Sequence, residues 1–304
     1  MDSLAFNNVV HRMNNKLEHI SFLGEIKGLL KLIRPKQWVK NSFVFAPLIF
    51  AGEFFNLNSI CLTIFAAVLF CLAASAVYIV NDLNDIEKDR AHPEKCKKRP
   101  LASGEVQHKS AIILLVLIYI SLALAWFAIP AVIYVICAYL ILNWAYTLNL
   151  KNEPVIEIFI VAIGFVLRVY AGALALEVPV SHWMFVTTLS VSLYLASIKR
   201  RQELLQNGTQ GRGVLAFYSV TLIDRFAEMS AVITVVFYSL YVMDKQPDLI
   251  LTIPFVIFGL FRYWYIVETL EGGESPTDVI IQDKQILITS FLWLIFCIWT
   301  LLPQ

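Results

Sequence analysis

Long apolar stretches, separated by short polar ones, run through almost the whole chain. A helix of roughly 20 apolar residues crosses the hydrocarbon core of a bilayer, and several of these stretches have about that length. The pattern predicts an all-α, polytopic membrane protein with nine transmembrane helices. Their expected limits are 41–57, 59–81, 110–128, 130–149, 154–176, 181–200, 214–243, 248–270 and 283–302.

The part of the chain before the first predicted span has a different character. Phe22 to Trp38 mixes apolar residues with lysines and arginines, a pattern typical of an amphipathic helix that lies on the membrane surface. Residues 1–25 form a polar segment without a cleavable secretory signal, either loose or folded back over the cytoplasmic opening. We expect residues 26–304 to form a single transmembrane domain.

The distribution of positive charge predicts the topology. Of the 24 Lys and Arg residues, 21 are predicted on the same side of the membrane as the N-terminus. Lys245 alone is predicted on the other side, and Arg168 and Arg262 lie within spans. Cytoplasmic loops carry the excess of Lys and Arg, so the N-terminus is predicted to be cytoplasmic and the C-terminus external. The net charge of only +1 gives no indication of a nucleic-acid partner.

Composition supports the membrane assignment and excludes some kinds of site. Hydrophobic residues make up 59% of the 304 residues and the mean hydropathy is +0.70, above the range of soluble domains. The five cysteines contain no Cys-x-x-Cys pair, and they are interpreted as small core residues. His92, His108 and His182 lack the spacing of metal ligands and are expected in loops.

The end of the second span carries the strongest chemical signal. Asp82, Asp85 and Asp89 follow Asn81 at helical spacings that place them on one face. Two carboxylates about 6 Å apart at an effective dielectric constant near 20 repel each other by about 3 kcal/mol. A Mg²⁺ ion converts this repulsion into coordination and leaves positions for substrate phosphates. We therefore favour a metal–diphosphate site, with Asn81 in support, over a solvated helix end.

Further cations are predicted on the same face as the aspartates. Arg99 precedes Pro100 and Gly104, which fix the backbone around it, and it is a candidate ligand for phosphate oxygens. The neighbouring Lys95 and Lys97 are better explained as anchors at the positive side of the membrane.

Two later helix ends are candidates for anion binding. Tyr146 and Lys151 close the fourth span, where they either bind an anion or serve as an interface aromatic and a snorkelling lysine. Lys199, Arg200 and Glu203 end the sixth span. They either hold a multiply charged phosphate or contain a simple ion pair between positions 199 and 203.

Arg168 is the most conspicuous charge within a span. A charge at the bilayer centre costs about 2.5–3.5 kcal/mol on insertion scales, so Arg168 is expected to face the bundle interior. Its partner is predicted to be a substrate phosphate or a buried acid such as Glu157 or Asp85. Additional residues that open the first span and could line the same cavity mouth are Arg34, Lys36, Lys40 and Asn41.

These motifs resemble those of a known family. Asn81-Asp82-x-x-Asp85-x-x-x-Asp89, Arg99 to Gly104, and Tyr146-x-x-x-x-Lys151 resemble the UbiA superfamily of intramembrane prenyltransferases. The resemblance extends from Arg34 onward. It implies nine transmembrane helices around a central cavity, a Mg²⁺ cofactor, and polar caps at the cytoplasmic side.

One departure from that family points to a particular branch. Typical members have a second aspartate-rich motif at the end of the sixth helix, where this chain has Lys199 to Leu204. This substitution is similar to that of the decaprenyl-phosphate phosphoribosyltransferases. The further segments that resemble this branch are Arg34–Asn41, Val155–Ile158, Leu167–Gly172 and Pro276–Asp283.

The resemblance implies Mg²⁺-dependent transfer of 5-phosphoribose from phosphoribosyl diphosphate to a polyprenyl phosphate. The reaction is expected at the cytoplasmic face of the plasma (inner) membrane, in cell-wall biosynthesis, with the oligomeric state left open. One alternative is transfer of a prenyl group from a prenyl diphosphate to an aromatic or other acceptor. Another is a non-catalytic protein that binds or transports polyprenyl lipids, which the intact aspartate motif disfavours.

Overall fold

A computed structural model describes residues 24–91, 95–208, 212–269, 279 and 282–302. Across these ranges the secondary structure is helical and contains no β-strand, which confirms the all-α prediction. The polar segment predicted over residues 1–25 lies almost wholly outside the described residues.

The described chain contains twelve α-helices. They are α1 (24–32), α2 (Ala46–Phe50), α3 (Leu57–Asn84), α4 (Ile86–Ala91), α5 (Lys95–Lys98), α6 (His108–Ala125), α7 (Pro130–Leu148), α8 (Ile156–Ala175), α9 (His182–Asn207), α10 (Val220–Lys245), α11 (Ile253–Thr269) and α12 (Lys284–Thr300). The 3-10 segments are Pro35–Phe45, Leu150–Asn152, Gly213–Phe217 and Pro247–Thr252.

Six of the described helical stretches are long and apolar enough to cross a membrane. They are α3, α6, α7, α8, α10 and the continuous stretch Pro247–Thr269 that contains α11. Helix α12 is apolar but only 17 residues long, and α9 carries buried Ser and Thr side chains along its length. The protein is therefore a multi-pass membrane protein; the count of nine spans and the side of the N-terminus stay predictions.

The first predicted span, 41–57, is corrected by the structure. Instead of one α-helix, the chain forms the 3-10 segment Pro35–Phe45 followed by the five-residue α2. The tight approach of this segment to α8 is one reason. A Cβ atom at Gly172 would lie 1.9 Å from the carbonyl oxygen of Val44, so glycine is required there.

The chain divides into two compact units, and the first comprises Met1–Trp38 and Cys71–Ala125. Helix α1 buries Gly28 and Leu32, one turn apart, and leaves its other positions largely exposed. Lys31 pairs with Glu105 at 2.8 Å. Trp38 Nε1 donates to the hydroxyl of Ser75, so residues beyond α1 are held against α3.

The second unit comprises Val39–Phe70 and Trp126–Gln304. Within it α7 packs on α8, α8 on α9, and α9 on α10, while α11 packs on α12. Around Tyr194 a core cluster joins α9 to α10, α11 and α12, and around Ile158 another joins α8 to α9 and α10. Through these contacts α9, whose C-terminal end is predicted to be cytoplasmic, packs against α8, α10, α11 and α12.

Candidate active site

The aspartates of the first unit lie where α3 passes into α4. Asp85 sits at the break between these helices, yet its backbone N–H donates to the carbonyl of Asn81 at 3.0 Å. The N–H of Asp89 likewise donates to the carbonyl of Asp85 at 2.8 Å. The i to i+4 hydrogen bonding thus continues through the break and preserves the helical spacing of the three aspartates.

Asp82 is buried and is held by two arginines. Arg99 Nη1 donates to Oδ1 of Asp82 at 2.8 Å, and Arg34 contacts the same oxygen. Arg34 has a left-handed backbone conformation (φ 52°), and its guanidinium lies 4.5 Å from the centre of the Tyr78 ring. A non-glycine residue in this conformation is strained, a feature that clusters at functional sites.

Two carboxylate oxygens of this group are suited to a cation. Oδ2 of Asp82 and Oδ1 of Asp85 are buried and have no hydrogen-bond partner among the described residues. A buried carboxylate oxygen without a donor is costly, and a hard cation such as Mg²⁺ would satisfy it. The residues present therefore fit a magnesium ion held by one or two carboxylates together with substrate oxygens.

Asp89 stands apart from that pair, because its carboxylate lies 3.7 Å from Lys95 Nζ. Lys88 Nζ lies 3.9 Å from Oδ1 of Asp85, which is beyond hydrogen-bond distance. Among the described residues, no three His, Cys, Asp or Glu side chains gather as a ready-made metal site. Each aspartate thus has a cationic side chain within 4.0 Å, and the role of all three as metal ligands stays a prediction.

The second unit holds a basic cluster at the end of α9. Arg200 is only 3% exposed, and its Nε lies 3.0 Å from Oε1 of Glu157, which is fully buried. Arg200 also donates to the carboxylate of Glu203, one turn further along α9. Lys199 Nζ lies 3.9 Å from that same carboxylate, as the ion-pair alternative predicted. The cluster combines this ion pair with further cations.

Arg212, which no sequence pattern marks, and Glu157, predicted as a possible partner of Arg168, also belong to this cluster. Arg212 Nη1 donates to the hydroxyl of Tyr146 at 2.9 Å, and its Nε lies 3.6 Å from Glu203. Arg212 is in a polar loop without a regular spacing to the other cations, so no sequence pattern marks it. Glu157 is a lone acid in the first turn of α8, and its helical position gives only a weak signal.

Arg168 is buried among neutral groups of the second unit. Its guanidinium donates to Oδ1 of Asn41 at 2.8 Å, to the carbonyl of Gly164 at 2.7 Å and to the hydroxyl of Tyr139 at 3.3 Å. The ring of Phe70 lies 5.0 Å away. The expected pairing with a buried acid is absent within the described parts of the chain, because neutral acceptors and aromatic faces already solvate this cation.

The remaining predicted residues lie at the edges of these groups. Lys36 is exposed in the first 3-10 segment, and Lys40, further along it, is partly buried. Asn81 is partly buried near the end of α3, and Lys151 is partly buried in the 3-10 segment after α7. Their predicted substrate contacts stay predictions. Asp278, part of a resembling segment, lies outside the described residues.

Comparison with known proteins places these features in one family. The model of the UbiA prenyltransferase family matches residues 42–277. A decaprenyl-phosphate phosphoribosyltransferase of Corynebacterium glutamicum is 36% identical over 287 residues, which cover 89% of this chain and 85% of that protein. The protein of the same name from Mycolicibacterium smegmatis is 33% identical over 291 residues, covering 88% and 91% respectively.

Solved structures agree with the sequence comparison at the level of the fold. The structure of a UbiA homolog from Archaeoglobus fulgidus bound to DMAPP and Mg²⁺ matches with a TM-score of 0.69 at 19% identity. The match covers 90% of this chain and 98% of that one. Together with the aspartate spacing and the helical architecture, these matches show that the chain belongs to the UbiA prenyltransferase family.

Proposed function

We propose that this protein transfers 5-phosphoribose from phosphoribosyl diphosphate to a polyprenyl phosphate. The observation that carries the proposal is the 33–36% identity, over nearly nine tenths of the chain, to proteins named decaprenyl-phosphate phosphoribosyltransferase. The geometry at the end of α9 supports it. Lys199, Arg200 and Arg212 surround the single carboxylate of Glu203 there, an arrangement that suits a substrate with several phosphates.

In this proposal the aspartates of the first unit handle the diphosphate end of the donor. Asp82 and Asp85 would hold Mg²⁺ through the carboxylate oxygens that accept no hydrogen bond, with Asp89 and Asn81 in support. When bound, the metal neutralises negative charge on the departing diphosphate. Arg34 and Arg99 keep the Asp82 carboxylate in a fixed orientation, so that one oxygen faces the protein and the other remains available.

The transfer itself requires little proton chemistry from the protein. A phosphate monoester has a second pKa near 6 and is largely a dianion at neutral pH. An oxygen of the lipid phosphate attacks C1 of the ribose, while the bond from C1 to the diphosphate oxygen breaks and the diphosphate leaves. Surrounding anions stabilise the positive charge that develops on the sugar ring. No general base is assigned.

The proposal assigns the phosphate groups of the substrates to basic side chains. Lys199, Arg200 and Arg212 are assigned to phosphate groups, with Tyr146 orienting Arg212. Further cations that the proposal assigns to the substrates are Arg34, Lys36, Lys40 and Lys151. The arrangement of Lys and Arg along the chain supports a cytoplasmic position for this chemistry in a bacterial plasma membrane.

The test is transfer of label into lipid. Membranes containing the protein receive Mg²⁺, labelled phosphoribosyl diphosphate and a polyprenyl phosphate, and the lipid phase is counted. We expect label in the lipid with the wild type and none with Asp85→Asn. The matched control is Asp248→Asn, which neutralises an exposed aspartate in the 3-10 segment between α10 and α11 and should retain activity.

A parallel assay separates the prenyltransferase alternative. Here a labelled prenyl diphosphate and an aromatic acceptor replace the two proposed substrates. Incorporation in this assay, without transfer from phosphoribosyl diphosphate, would contradict the proposal and support prenyl transfer. Release of diphosphate that depends on Mg²⁺ in either assay would exclude a non-catalytic lipid carrier.

A further inference from the structure

Three cations converge on the carboxylate of Glu203. Lys199 Nζ lies 3.9 Å from Oε1, Arg212 Nε lies 3.6 Å from Oε2, and Arg200 donates to Oε2 as well. The side chain of Glu203 is 16% exposed, whereas that of Arg200 is 3% exposed. A single carboxylate with one negative charge therefore occupies a position toward which three positive groups point.

Two of these cations are held in place without Glu203. Fully buried Glu157 lies 3.0 Å from Nε of Arg200, on an edge of the guanidinium that Glu203 does not use. The hydroxyl of Tyr146 accepts from Nη1 of Arg212 at 2.9 Å. Because α8 and α7 supply these two supports, the arginines would keep their positions if the Glu203 side chain moved away.

The cluster carries more positive than negative charge and could therefore bind a further anion. Three cations face two carboxylates, those of Glu157 and Glu203, so one positive charge is not balanced within the group. A phosphate monoester carries about −1.5 to −2 charges at neutral pH and has three acceptor oxygens, against the single charge and two oxygens of a carboxylate. Guanidinium groups match phosphate geometry well.

We propose that the Glu203 carboxylate occupies the place of a substrate phosphate monoester and withdraws when that phosphate binds. Arg212 then becomes a further substrate-binding residue, beside Lys199 and Arg200. This inference rests on the proposed function for its two candidate ligands. They are the 5-phosphate of the ribose donor and the phosphate of the lipid acceptor, which share the monoester chemistry.

The proposal predicts that neutralising Glu203 increases the affinity for the ligand, although the substitution removes a charged residue from the site. If Glu203 competes with the ligand for the same cations, neutralising it frees them and the ligand binds more tightly. If Glu203 instead helped to hold a metal on the substrate, or only stabilised the cations, the same change would weaken binding or leave it unchanged. The direction of the change in affinity therefore distinguishes competition by Glu203 from a supporting role of Glu203.

The experiment measures the Kd of two probes, ribose 5-phosphate and farnesyl phosphate, for the detergent-purified full chain in EDTA. For Glu203→Gln we expect the Kd of one probe to fall about three- to tenfold, as expected for removal of a partly exposed ion-pair competitor. Arg212→Gln should raise the Kd of the same probe about tenfold or more. The probe that responds identifies which substrate phosphate occupies the cluster.

The matched control is Glu268→Gln, which neutralises the exposed carboxylate that pairs with Arg201, the residue after Arg200 in α9. Its effect on either Kd should stay within about twofold, because the charge lies outside the cluster and is screened by solvent. Glu203→Asp is a second variant. Its shorter side chain retracts the charge from the cations and should lower the Kd in the same direction, by a smaller factor.

An unchanged or higher Kd for both probes with Glu203→Gln, in protein with wild-type thermal stability, would overturn the inference. A lower Kd together with failure of transfer from phosphoribosyl diphosphate would uphold the phosphate site and reject the proposed function. Successful transfer by the wild type, with an unchanged Kd for Glu203→Gln, would uphold the proposed function and reject the phosphate site at Glu203. The binding and transfer assays thus fail independently of one another.

Discussion

Arg99 donates a 2.8 Å hydrogen bond to Oδ1 of Asp82, the oxygen that Arg34 also contacts. Both cations approach one oxygen of a carboxylate that is only 4% exposed. The other oxygen, Oδ2, has no hydrogen-bond partner among the described residues. Asp82 is therefore fixed to the protein on one side and free to coordinate a cation on the other, unlike Asp85, whose pairing is weak.

This difference predicts that two neighbouring aspartates behave differently on substitution. Asp85→Asn should reduce phosphoribosyl transfer by more than about 100-fold, since a catalytic metal contributes several kcal/mol. Its thermal stability should change little, because the carboxylate makes only a 3.9 Å contact with exposed Lys88. Asp82→Asn should abolish transfer and also lower stability by about 1–3 kcal/mol, because the oxygen that accepts from Arg34 and Arg99 loses its negative charge.

The measurements are the transfer assay and thermal unfolding of the purified protein in detergent. Near-normal transfer by Asp85→Asn would remove the metal role of that residue. An equal loss of stability in both variants would show that the two carboxylates are held alike.

Binding of magnesium should be visible without catalysis. A ligand that binds only the folded protein raises the unfolding temperature, so Mg²⁺ with inorganic diphosphate should raise the Tm of the wild type. The same addition should leave the Tm of Asp85→Asn nearly unchanged. A Tm rise of equal size in both proteins would place the bound metal away from Asp85.

The contact of α8 with the first 3-10 segment predicts a severe effect at Gly172. A Cβ atom at this position would meet the backbone of Val44, which cannot move aside as a flexible side chain does. Gly172→Ala should therefore destabilise the protein by about 1–3 kcal/mol, measured by thermal unfolding. Gly259→Ala in α11 is the control, since nothing lies within 4 Å of the added atom. It should leave stability unchanged or raise it by up to about 1 kcal/mol.

The neutral surroundings of Arg168 predict a structural consequence for its replacement. Arg168→Lys cannot reach Asn41, Gly164 and Tyr139 together, because a lysine ammonium lacks the planar fork of a guanidinium. We expect a loss of about 2–4 kcal/mol in stability, from buried acceptors left unsatisfied. The Kd for ribose 5-phosphate should stay within about twofold of the wild-type value. Weaker ligand binding at unchanged stability would instead support the substrate-binding role predicted for Arg168.

The ion pair between Asp283, just before α12, and Arg262 should make a pH-dependent contribution to stability. Arg262 hydrogen bonds to this carboxylate, with Nη2 2.8 Å from Oδ2, and holds the pKa of Asp283 below its ordinary value. A carboxyl group with a lowered pKa stabilises the fold above its ordinary pKa near 3.9, and this contribution disappears as the pH falls through the lowered value. Asp283→Asn should thus unfold at a lower Tm than the wild type between about pH 5 and 8, with a difference that shrinks toward pH 3.

Asparagine retains the helix cap that Asp283 provides by accepting from the N–H of Ile286, so this variant removes the ion pair with Arg262 and keeps the cap. Asp283→Ala also removes the cap and should leave a difference that persists at low pH. A Tm difference between Asp283→Asn and the wild type that stays constant down to pH 3 would contradict the ion-pair explanation.

Local pattern was sufficient to predict several of the membrane helices and the helical spacing of the first aspartate motif. A bilayer requires each spanning segment to satisfy its own backbone hydrogen bonds, so apolar runs such as 59–81 and 154–176 predict helices close to α3 and α8. Asp82, Asp85 and Asp89 keep their helical spacing for the same local reason, through hydrogen bonds that continue across the break. The prediction of the first span was wrong: a 3-10 segment and a short helix form there, and Val44 packs against α8 at Gly172, which is distant in sequence.

The sequence by itself therefore determined an all-helical membrane protein, its family motifs and the kinds of residue at its candidate site. Tertiary structure alone decided which charges meet. Arg200 pairs with Glu157, Arg212 joins Tyr146, and Arg168 is surrounded by neutral acceptors. Such pairings depend on the rotation of each helix about its axis and on the rotamers of long side chains. Neither is encoded in the periodicity of a single helix, because many rotations and rotamers are compatible with the same apolar pattern.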